Sequence, residues 1–246
     1  LINRSMSLPY YFEIPELKLP FNVLQYVNEE EVMKADDRID DGNHSYVDKL
    51  KRQEATSMDA GWYMRAFGGQ GGTGQGGYGE TLSVGTGMTE EQHPDMSKII
   101  KEWANDTFNI RMTSSLLLRT LPGQNGWWHC EGPSLRSRRC ALNFLVEGDI
   151  GNTSAQWGYN KSWGNVPPEQ VEKMGYVKTE DVDNIEVLDE FESPTLNTGF
   201  FYNTMYLHRG VNTQSNVRRS ILSISVAENI DIEGVYKLYN AGKLFK

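Results

Sequence analysis

Residues 200–226, FFYNTMYLHRGVNTQSNVRRSILSISV, contain two stretches that are typical of β-strands. FFYNTMYL at 200–207 and RRSILSISV at 218–226 are rich in aromatic and β-branched residues, with polar residues between them. Three similar stretches occur earlier in the chain: SSLLLRTL at 114–121, RCALNFLV at 139–146 and SAQWGY at 154–159. So many short strands predict a mainly β fold, an antiparallel sandwich or barrel with supporting α-helices.

The helices are predicted mainly outside these strands. Apolar residues spaced three and four apart between Pro94 and Phe108 predict a helix with one buried face. Shorter helices are expected around Glu29–Ala35 and after Pro167-Pro168. The glycine-rich segment Gly68–Gly79 contains a GxGxxG pattern, but strand-like sequence follows it where a phosphate-binding helix would be needed. It therefore indicates a surface loop, or an active-site flap, rather than a nucleotide site.

The composition of the 246 residues indicates one globular domain. Hydrophobic residues make up 38% of the chain, and the net charge of −9 argues against nonspecific binding to nucleic acid or to an anionic membrane. No apolar stretch has the length of a membrane helix, and the first residues lack the apolar core of a signal peptide. With only Cys130 and Cys140 present, we expect a cytoplasmic protein without a disulfide framework.

Two of the four histidines are candidate metal ligands. Glu131 follows His129 by two residues, and alternate residues of a strand project from the same face. His208 follows the strand-like residues 200–207. Two histidines and one carboxylate on one side of a metal leave other positions open, as a non-haem Fe(II) centre that binds a cosubstrate and O₂ requires. We expect the other two histidines to be solvated or to have a capping role: His44 lies in a turn-like segment, and His93 precedes a predicted helix.

A possible carboxylate clamp follows His208. Arg218 and Ser220 share one face of the predicted strand 218–226, so the guanidinium and the hydroxyl could bind one carboxylate together. Arg219 has the opposite parity, and we expect it to face outward or to form a structural ion pair.

The order His-x-Glu, distal histidine and Arg-x-Ser resembles that of the Fe(II)/2-oxoglutarate-dependent oxygenases. Within that superfamily the chain looks most like the aspartyl/asparaginyl β-hydroxylase-like group, through LLLRTLPG, RRCALNFLV and FFYNTMYLHRGVN, over roughly 114–226. The resemblance implies a double-stranded β-helix, the cupin-like jelly roll. It implies Fe(II) held by His129, Glu131 and His208, and 2-oxoglutarate anchored by Arg218 with Ser220 assisting.

The resemblance also implies a reaction, in which O₂ and 2-oxoglutarate are consumed as an unactivated C–H bond is hydroxylated. Because the carboxylate Glu131 is present, the resemblance implies hydroxylation rather than halogenation. The expected partner is a small-molecule or peptide substrate, with an amino-acid side chain as the leading class. No nucleic-acid or membrane partner is expected, and the sequence does not indicate an oligomeric state.

Arg139 and Asn143 are further candidates for cofactor-binding residues. On the predicted strand 139–146 they share a face, while the other face is apolar: Cys140, Leu142, Phe144 and Val146. Since asparagine is a poor β-former, its place in mid-strand indicates a pocket. If the strand through 200–207 continued to His208, Tyr202 and Tyr206 would share the parity of His208 and line the same cavity.

We expect a single oxygenase domain over 1–246. N-terminal strands, the glycine-rich loop and a supporting helix occupy 1–113, the catalytic β-core 114–226, and a C-terminal extension 227–246. Two alternatives remain open at this point. A cupin-type metal enzyme that uses no 2-oxoglutarate would leave Arg218 and Ser220 without a task. A noncatalytic ligand-binding β-sandwich would instead bind its ligand through the tryptophans that are dense in this part of the sequence: Trp127, Trp128, Trp157 and Trp163.

Overall fold

The computed structural model describes residues 6–7, 10–26, 62–63, 65–66, 82–83, 94–120, 124–125, 128–130, 139–161, 177–178, 184–193, 195–212, 214–226 and 230–246. The helices expected around Glu29–Ala35 and after Pro168, and the glycine-rich segment Gly68–Gly79, lie outside these residues. Among the described residues, no helix is both long and apolar enough to cross a membrane.

The strands are numbered in chain order. They are β1 (Met6–Ser7), β2 (Tyr11–Lys18), β3 (Trp62–Tyr63), β4 (Arg65–Ala66), β5 (Leu82–Ser83), β6 (Met112–Thr120), β7 (Gln124–Asn125), β8 (His129–Cys130), β9 (Cys140–Glu147), β10 (Ser154–Asn160), β11 (Val177–Lys178), β12 (Ile185–Phe191), β13 (Thr198–Asn203), β14 (Leu207–Asn212) and β15 (Arg219–Val226). A 3₁₀ helix covers Val23–Tyr26, and the α-helices are α1 (Pro94–Thr107) and α2 (Ile232–Asn240).

Two antiparallel sheets hold most of these strands. The seven-stranded sheet has the order β1-β2-β13-β9-β15-β6-β3, and the six-stranded sheet has the order β11-β8-β14-β10-β12, with β7 beside β14. The small strands β4 and β5 pair with each other in parallel.

The chain passes back and forth between the two large sheets. β6, β9, β13 and β15 lie in the seven-stranded sheet, and β8, β10, β12 and β14 lie in the six-stranded sheet. In chain order these eight strands alternate between the sheets except at β10 and β12, which follow each other in the six-stranded sheet. This order is that of a double-stranded β-helix, or jelly roll. The predicted fold class is therefore confirmed.

Apolar side chains form two clusters, one on each side of the seven-stranded sheet. The first lies between the sheets and includes Trp157, Tyr202 and Ile221. The second lies between the seven-stranded sheet and the helices, and it includes Ile100 of α1 and Val235 of α2. The predicted apolar face of β9 belongs to the helix-side cluster: Cys140, Leu142, Phe144 and Val146. Alternate residues of β9, β13 and β15 therefore face either the jelly-roll interior or the helices.

The helix α1 begins at Pro94 as the sequence predicts, whereas α2 was not predicted. Asp231 caps α2, because its Oδ1 accepts a hydrogen bond from the Gly234 backbone N at 2.8 Å. Ile232 and Val235, three residues apart, are buried in the helix-side cluster. The end of the chain therefore completes the core of the jelly roll.

Replacing Ile232 by alanine tests this packing. Since Ile232 is only 1% exposed, the truncation should lower the free energy of unfolding by about 2–5 kcal/mol. The exposed Lys237 of the same helix is the control, and Lys237→Ala should change it by no more than about 0.5 kcal/mol. Urea denaturation measures both. Equal effects would show that α2 does not dock in solution.

The prediction of one strand through residues 200–207 is wrong. The strand β13 ends at Asn203, and β14 begins at Leu207 in the other sheet. Asn203 ends the strand because its Oδ1 accepts a hydrogen bond from the Met205 backbone N at 2.9 Å, a local turn that competes with strand pairing. Tyr202 and His208 therefore do not share a strand, and the shared parity proposed for them does not exist.

Candidate active site

The two candidate histidine ligands lie on neighbouring strands. β14 is placed between β8 and β10, and its His208 is directly opposite His129 of β8 and Trp157 of β10. Directly opposed residues in an antiparallel pair project from the same face, so His208 shares the face of Trp157. Since Trp157 packs between the sheets, this face is the interior of the jelly roll.

The third candidate ligand, Glu131, lies outside the described residues, and of His129 only the strand position is described. Within the described ranges, no group of three or more His, Cys, Asp or Glu side chains is arranged to hold a metal. The ligand set of His129, Glu131 and His208 accordingly stays a prediction, and the strand register brings two of its members to one place.

The surroundings of His208 determine which ring nitrogen can bind a metal. The ring is 4% exposed, and its Nδ1 lies 2.8 Å from the backbone oxygen of Tyr206. A carbonyl oxygen can only accept, so Nδ1 donates this hydrogen bond, and in the neutral imidazole the lone pair is on Nε2. Tyr202 packs edge-on against the ring at a centroid distance of 4.8 Å. Metal-binding histidines are commonly oriented by such a hydrogen bond from the other ring nitrogen.

Arg219 faces the interior of the jelly roll, contrary to the expectation that it faces outward. It is 8% exposed and shares the face of Ile221, which lies in the cluster between the sheets. A Cβ built on Gly210 would lie 2.5 Å from Nη1 of Arg219. The guanidinium therefore reaches from β15 to β14 and lies against Gly210, two residues beyond His208.

Arg219 carries a buried positive charge and has a hydrogen-bond donor that is unused within the described residues. Its Nε is buried and has no hydrogen-bond partner among the residues that the structure describes. Burial lowers the pKa of Arg219 to about 10, and the nearby Tyr202 acts in the opposite direction. At neutral pH the group is protonated, so this face of the interior is suited to an anion.

Arg218 and Ser220 do hold a carboxylate, as their shared parity predicts, but it belongs to the protein. The Ser220 hydroxyl donates to Oε2 of Glu147 at 2.5 Å, and Nε of Arg218 lies 3.8 Å from Oε1 of the same side chain. Both residues have the opposite parity to Arg219 and Ile221, so they point away from the face that carries the interior cluster.

Asn143 lies on the interior face of β9, on the side that the sequence predicts to line a pocket. It is buried, stands opposite Ser223 of β15, and has an Oδ1 with no hydrogen-bond partner in the described part of the chain. Arg139 comes just before β9 and is half-buried, with its backbone oxygen accepting from the Thr204 N at 3.3 Å. Asn143 is thus at the centre of the sheet, and Arg139 is at its edge.

A small cavity opens between the sheets beside Arg219. Its lining combines apolar side chains with hydroxyl groups: Leu145, Thr153, Ser154, Ala155, Phe191, Ser193, Phe200, Arg219 and Ile221. The guanidinium is the charged group among them. The interior therefore has a small space beside Arg219, whereas the space at Gly210 is filled by the guanidinium.

Two contributors to the site were not identified from the sequence. Gly210 makes room for the guanidinium, and Glu147 occupies Arg218 and Ser220. Tyr202 was a sequence candidate for the cavity, but it meets His208 across the sandwich rather than along a strand. A glycine in a strand is a signal for close approach by another group, and Gly210 could have been recognised in that way.

No family model and no curated protein matches the sequence. Three solved structures with which the chain can be aligned are E. coli ycfD, HygX from Streptomyces hygroscopicus with nickel and 2-oxoglutarate bound, and a Trichoplax adhaerens prolyl hydroxylase in complex with a hypoxia inducible factor peptide fragment. The sequence identities are 10%, 12% and 10%, and the TM-scores are 0.30, 0.32 and 0.35. The alignments cover 53%, 53% and 91% of this chain, and 29%, 65% and 86% of the respective chains.

The chain spans less than a third of the length of ycfD. At these identities and scores the similarities do not assign any residue, and the jelly-roll assignment rests on the strand order of the two sheets.

Proposed function

We propose that this protein is an Fe(II)- and 2-oxoglutarate-dependent oxygenase that hydroxylates an unactivated C–H bond. The observation that carries the proposal is the meeting of two features on one interior face. The register of β8 and β14 sets His129 opposite His208, and the buried cation of Arg219 lies against the same strand two residues further on. The proposed metal site and the proposed anion site are thereby adjacent.

His129, Glu131 and His208 are the proposed iron ligands. The residues fit such a metal, because two histidines with one carboxylate suit Fe(II), and the contact of His208 Nδ1 with the Tyr206 carbonyl makes Nε2 the proposed ligand atom. When bound, Fe(II) would supply the redox chemistry that couples O₂ and 2-oxoglutarate to C–H hydroxylation. The part of the protein is to orient the ligands, hold the cosubstrate and exclude water from the interior.

Arg219 replaces Arg218 as the proposed anchor for 2-oxoglutarate. Arg218 and Ser220 bind Glu147 and point to the other side of β15, whereas Arg219 is buried on the side of His208. A carboxylate of the cosubstrate would compensate the charge of the guanidinium and could accept the hydrogen bond that Nε is able to donate.

Tyr202 and Asn143 are proposed to line the cosubstrate site. Tyr202 contacts the ring of His208 and lies close enough to Arg219 to influence its pKa. The amide of Asn143 has a buried end that makes no hydrogen bond within the described residues. Since the oxygen and nitrogen of an amide exchange places on a flip, that end can either accept from or donate to a bound molecule.

The proposed substrate is an amino-acid side chain, free or in a peptide, as the resemblance to the aspartyl/asparaginyl β-hydroxylase-like group implies. A cupin-type enzyme that uses no 2-oxoglutarate is the second candidate. The buried Arg219 disfavours this candidate. Burying a cation costs free energy, and an enzyme that binds no 2-oxoglutarate would have no anionic cosubstrate to offset that cost.

Succinate formation tests the proposal. The protein with Fe(II), O₂ and 2-oxoglutarate should release succinate slowly, and a screen of amino acids and peptides should find substrates that accelerate the release. Omitting Fe(II) or O₂ should stop it. Absence of succinate under all conditions, from protein that is folded and binds Fe(II), would contradict the use of 2-oxoglutarate and favour the cupin-type alternative.

Replacing Gly210 by alanine tests the position of the anchor. The added Cβ would come within 2.5 Å of Arg219 Nη1, so the guanidinium must move. We expect 2-oxoglutarate affinity to fall about 10-fold, a typical result when a charge-assisted contact is displaced. Mn(II) affinity should stay the same, as titration calorimetry can show for both ligands.

Gly234→Ala is the matched control, because its Cβ would be similarly crowded, 2.6 Å from Ile230 Cγ1, but within the region of α2. It should leave 2-oxoglutarate affinity unchanged. An equal loss in both variants would mean that crowding anywhere in the fold weakens the site.

A further inference from the structure

We propose that Trp128 and Arg209 are positioning residues, which hold the strand of His129 in register with the strand of His208 from the outer side of the six-stranded sheet. The inference rests on the proposed metal site and goes beyond it, because neither residue faces that site. Trp128 comes directly before His129, and Arg209 comes directly after His208. Since successive residues of a strand face opposite sides, this pair lies behind the histidine pair.

Trp128 and Arg209 are in direct contact. The Arg209 Cζ lies 4.7 Å from the centre of the Trp128 ring, which is within the range of a cation–π interaction. Arg209 is itself held from the next strand, because its Nε donates to Gln156 Oε1 at 3.0 Å and Gln156 stands opposite it on β10.

The Trp128 ring also reaches β10 directly. It is buried, and a Cβ on Gly158 would lie 2.9 Å from its Cη2 and Cζ3 atoms. The ring therefore rests on the backbone of β10 at Gly158, while Arg209 covers it from β14. One side chain that starts beside β8 thus joins β8 to both β14 and β10.

The contact between Trp128 and Arg209 matters because β8 pairs with β14 over a very short length. β8 has two residues, and its register with β14 consists of the single pair His129 and His208. So few backbone hydrogen bonds define the position of a strand poorly, and metal ligands must be held to within about 0.5 Å. The stacked Trp128 and Arg209 side chains supply the additional constraint, and a metal bound by both histidines would benefit from it without touching either residue.

Binding of Mn(II) to the variants Arg209→Met, Trp128→Leu and the double variant tests the inference. Each single substitution should weaken Mn(II) binding about 10-fold, the usual scale for losing a supporting contact of a metal site. The loss in the double variant should be clearly smaller than the product of the two single losses, because both substitutions remove the shared contact between Trp128 and Arg209. Arg209→Lys, which keeps the cation, should restore part of the affinity. The absorption spectrum of bound Co(II) should change in Arg209→Met, since it reports ligand geometry.

Lys161→Met is the matched control, because it removes an exposed ion pair with Glu186, 3.5 Å long, from the same sheet. It should leave Mn(II) affinity unchanged. If Trp128→Leu does not fold, Arg209→Met and Arg209→Lys carry the test alone. Wild-type affinity in Arg209→Met, or additive losses in the double variant, would overturn the inference and leave the proposed function standing. A wild-type protein that binds no Mn(II) would overturn the proposed function, and the inference with it.

Discussion

Replacing Arg219 by methionine is expected to weaken 2-oxoglutarate binding by about 30-fold or more. Arg219 is the buried cation on the interior face that carries His208. Truncating one partner of a buried, charge-assisted contact costs about 2–5 kcal/mol, and 2 kcal/mol already corresponds to about 30-fold. Titration of 2-oxoglutarate into the Mn(II)-loaded protein measures the effect.

The same substitution should stabilise the protein when no ligand is present. Arg219 buries a charge whose Nε makes no hydrogen bond to any described residue. An apolar side chain of similar length avoids the cost of burying that charge. Arg219→Met should therefore raise the thermal midpoint as it removes ligand binding. These opposite signs distinguish a lost contact from a damaged fold.

Arg218→Met is the control for this experiment. Arg218 is partly exposed and pairs with Glu147 at 3.8 Å, so its loss should cost at most about 1 kcal/mol of stability. Its effect on 2-oxoglutarate affinity should be small. If Arg218→Met is the variant that loses 2-oxoglutarate while Arg219→Met retains it, the assignment of the interior face of β15 is wrong.

Replacing His208 by alanine is expected to weaken Fe(II) or Mn(II) binding by about 100-fold or more. A ligand is lost outright, and even supporting groups around a metal are worth about 10–100-fold. His208 is buried and its Nδ1 is engaged with the Tyr206 carbonyl, so Nε2 is pre-oriented in the folded protein. Equilibrium titration with Mn(II), followed by the electron paramagnetic resonance signal of the free ion, gives the affinity.

His93→Ala is the control for the histidine experiment, because His93 precedes α1 and is not expected to bind metal. Its Mn(II) affinity should equal that of the wild type. If His208→Ala binds Mn(II) as tightly as the wild type, His208 is not a metal ligand. The register of β8 and β14 would then no longer support the proposed metal centre.

Local periodicity predicted β6, β9, β10, β13 and β15, but it missed β2, β12 and β14 and did not show where the chain changes sheets. The apolar face of β9 and the helix α1 were predicted because two-residue and three-to-four-residue spacings depend only on nearby sequence. The break between β13 and β14 depends on a side-chain hydrogen bond of Asn203, which the apolar residues on either side conceal. α2 was overlooked although Asp231 and the spacing of Ile232 and Val235 indicate a capped helix.

The choice between Arg218 and Arg219 could not be made from the strand pattern alone. Parity correctly grouped Arg218 with Ser220 and separated both from Arg219. However, both faces of β15 are buried throughout, one between the sheets and one against the helices. With no polar face to mark solvent, the sequence does not indicate which set points toward His208, and only the packing of the two sheets decides it.

Visible absorption after anaerobic addition of Fe(II) and 2-oxoglutarate is the most direct test of the proposed site. It tests whether the protein binds a metal and 2-oxoglutarate together at His129, His208 and Arg219. A cosubstrate that chelates the iron should produce a weak metal-to-ligand band in the wild type, and the band should be absent from His208→Ala. In Arg219→Met it should appear only at 2-oxoglutarate concentrations about 30-fold higher or more. A folded wild-type protein that shows no band at any concentration, or a band of full intensity and unchanged 2-oxoglutarate dependence in both variants, would contradict this assignment.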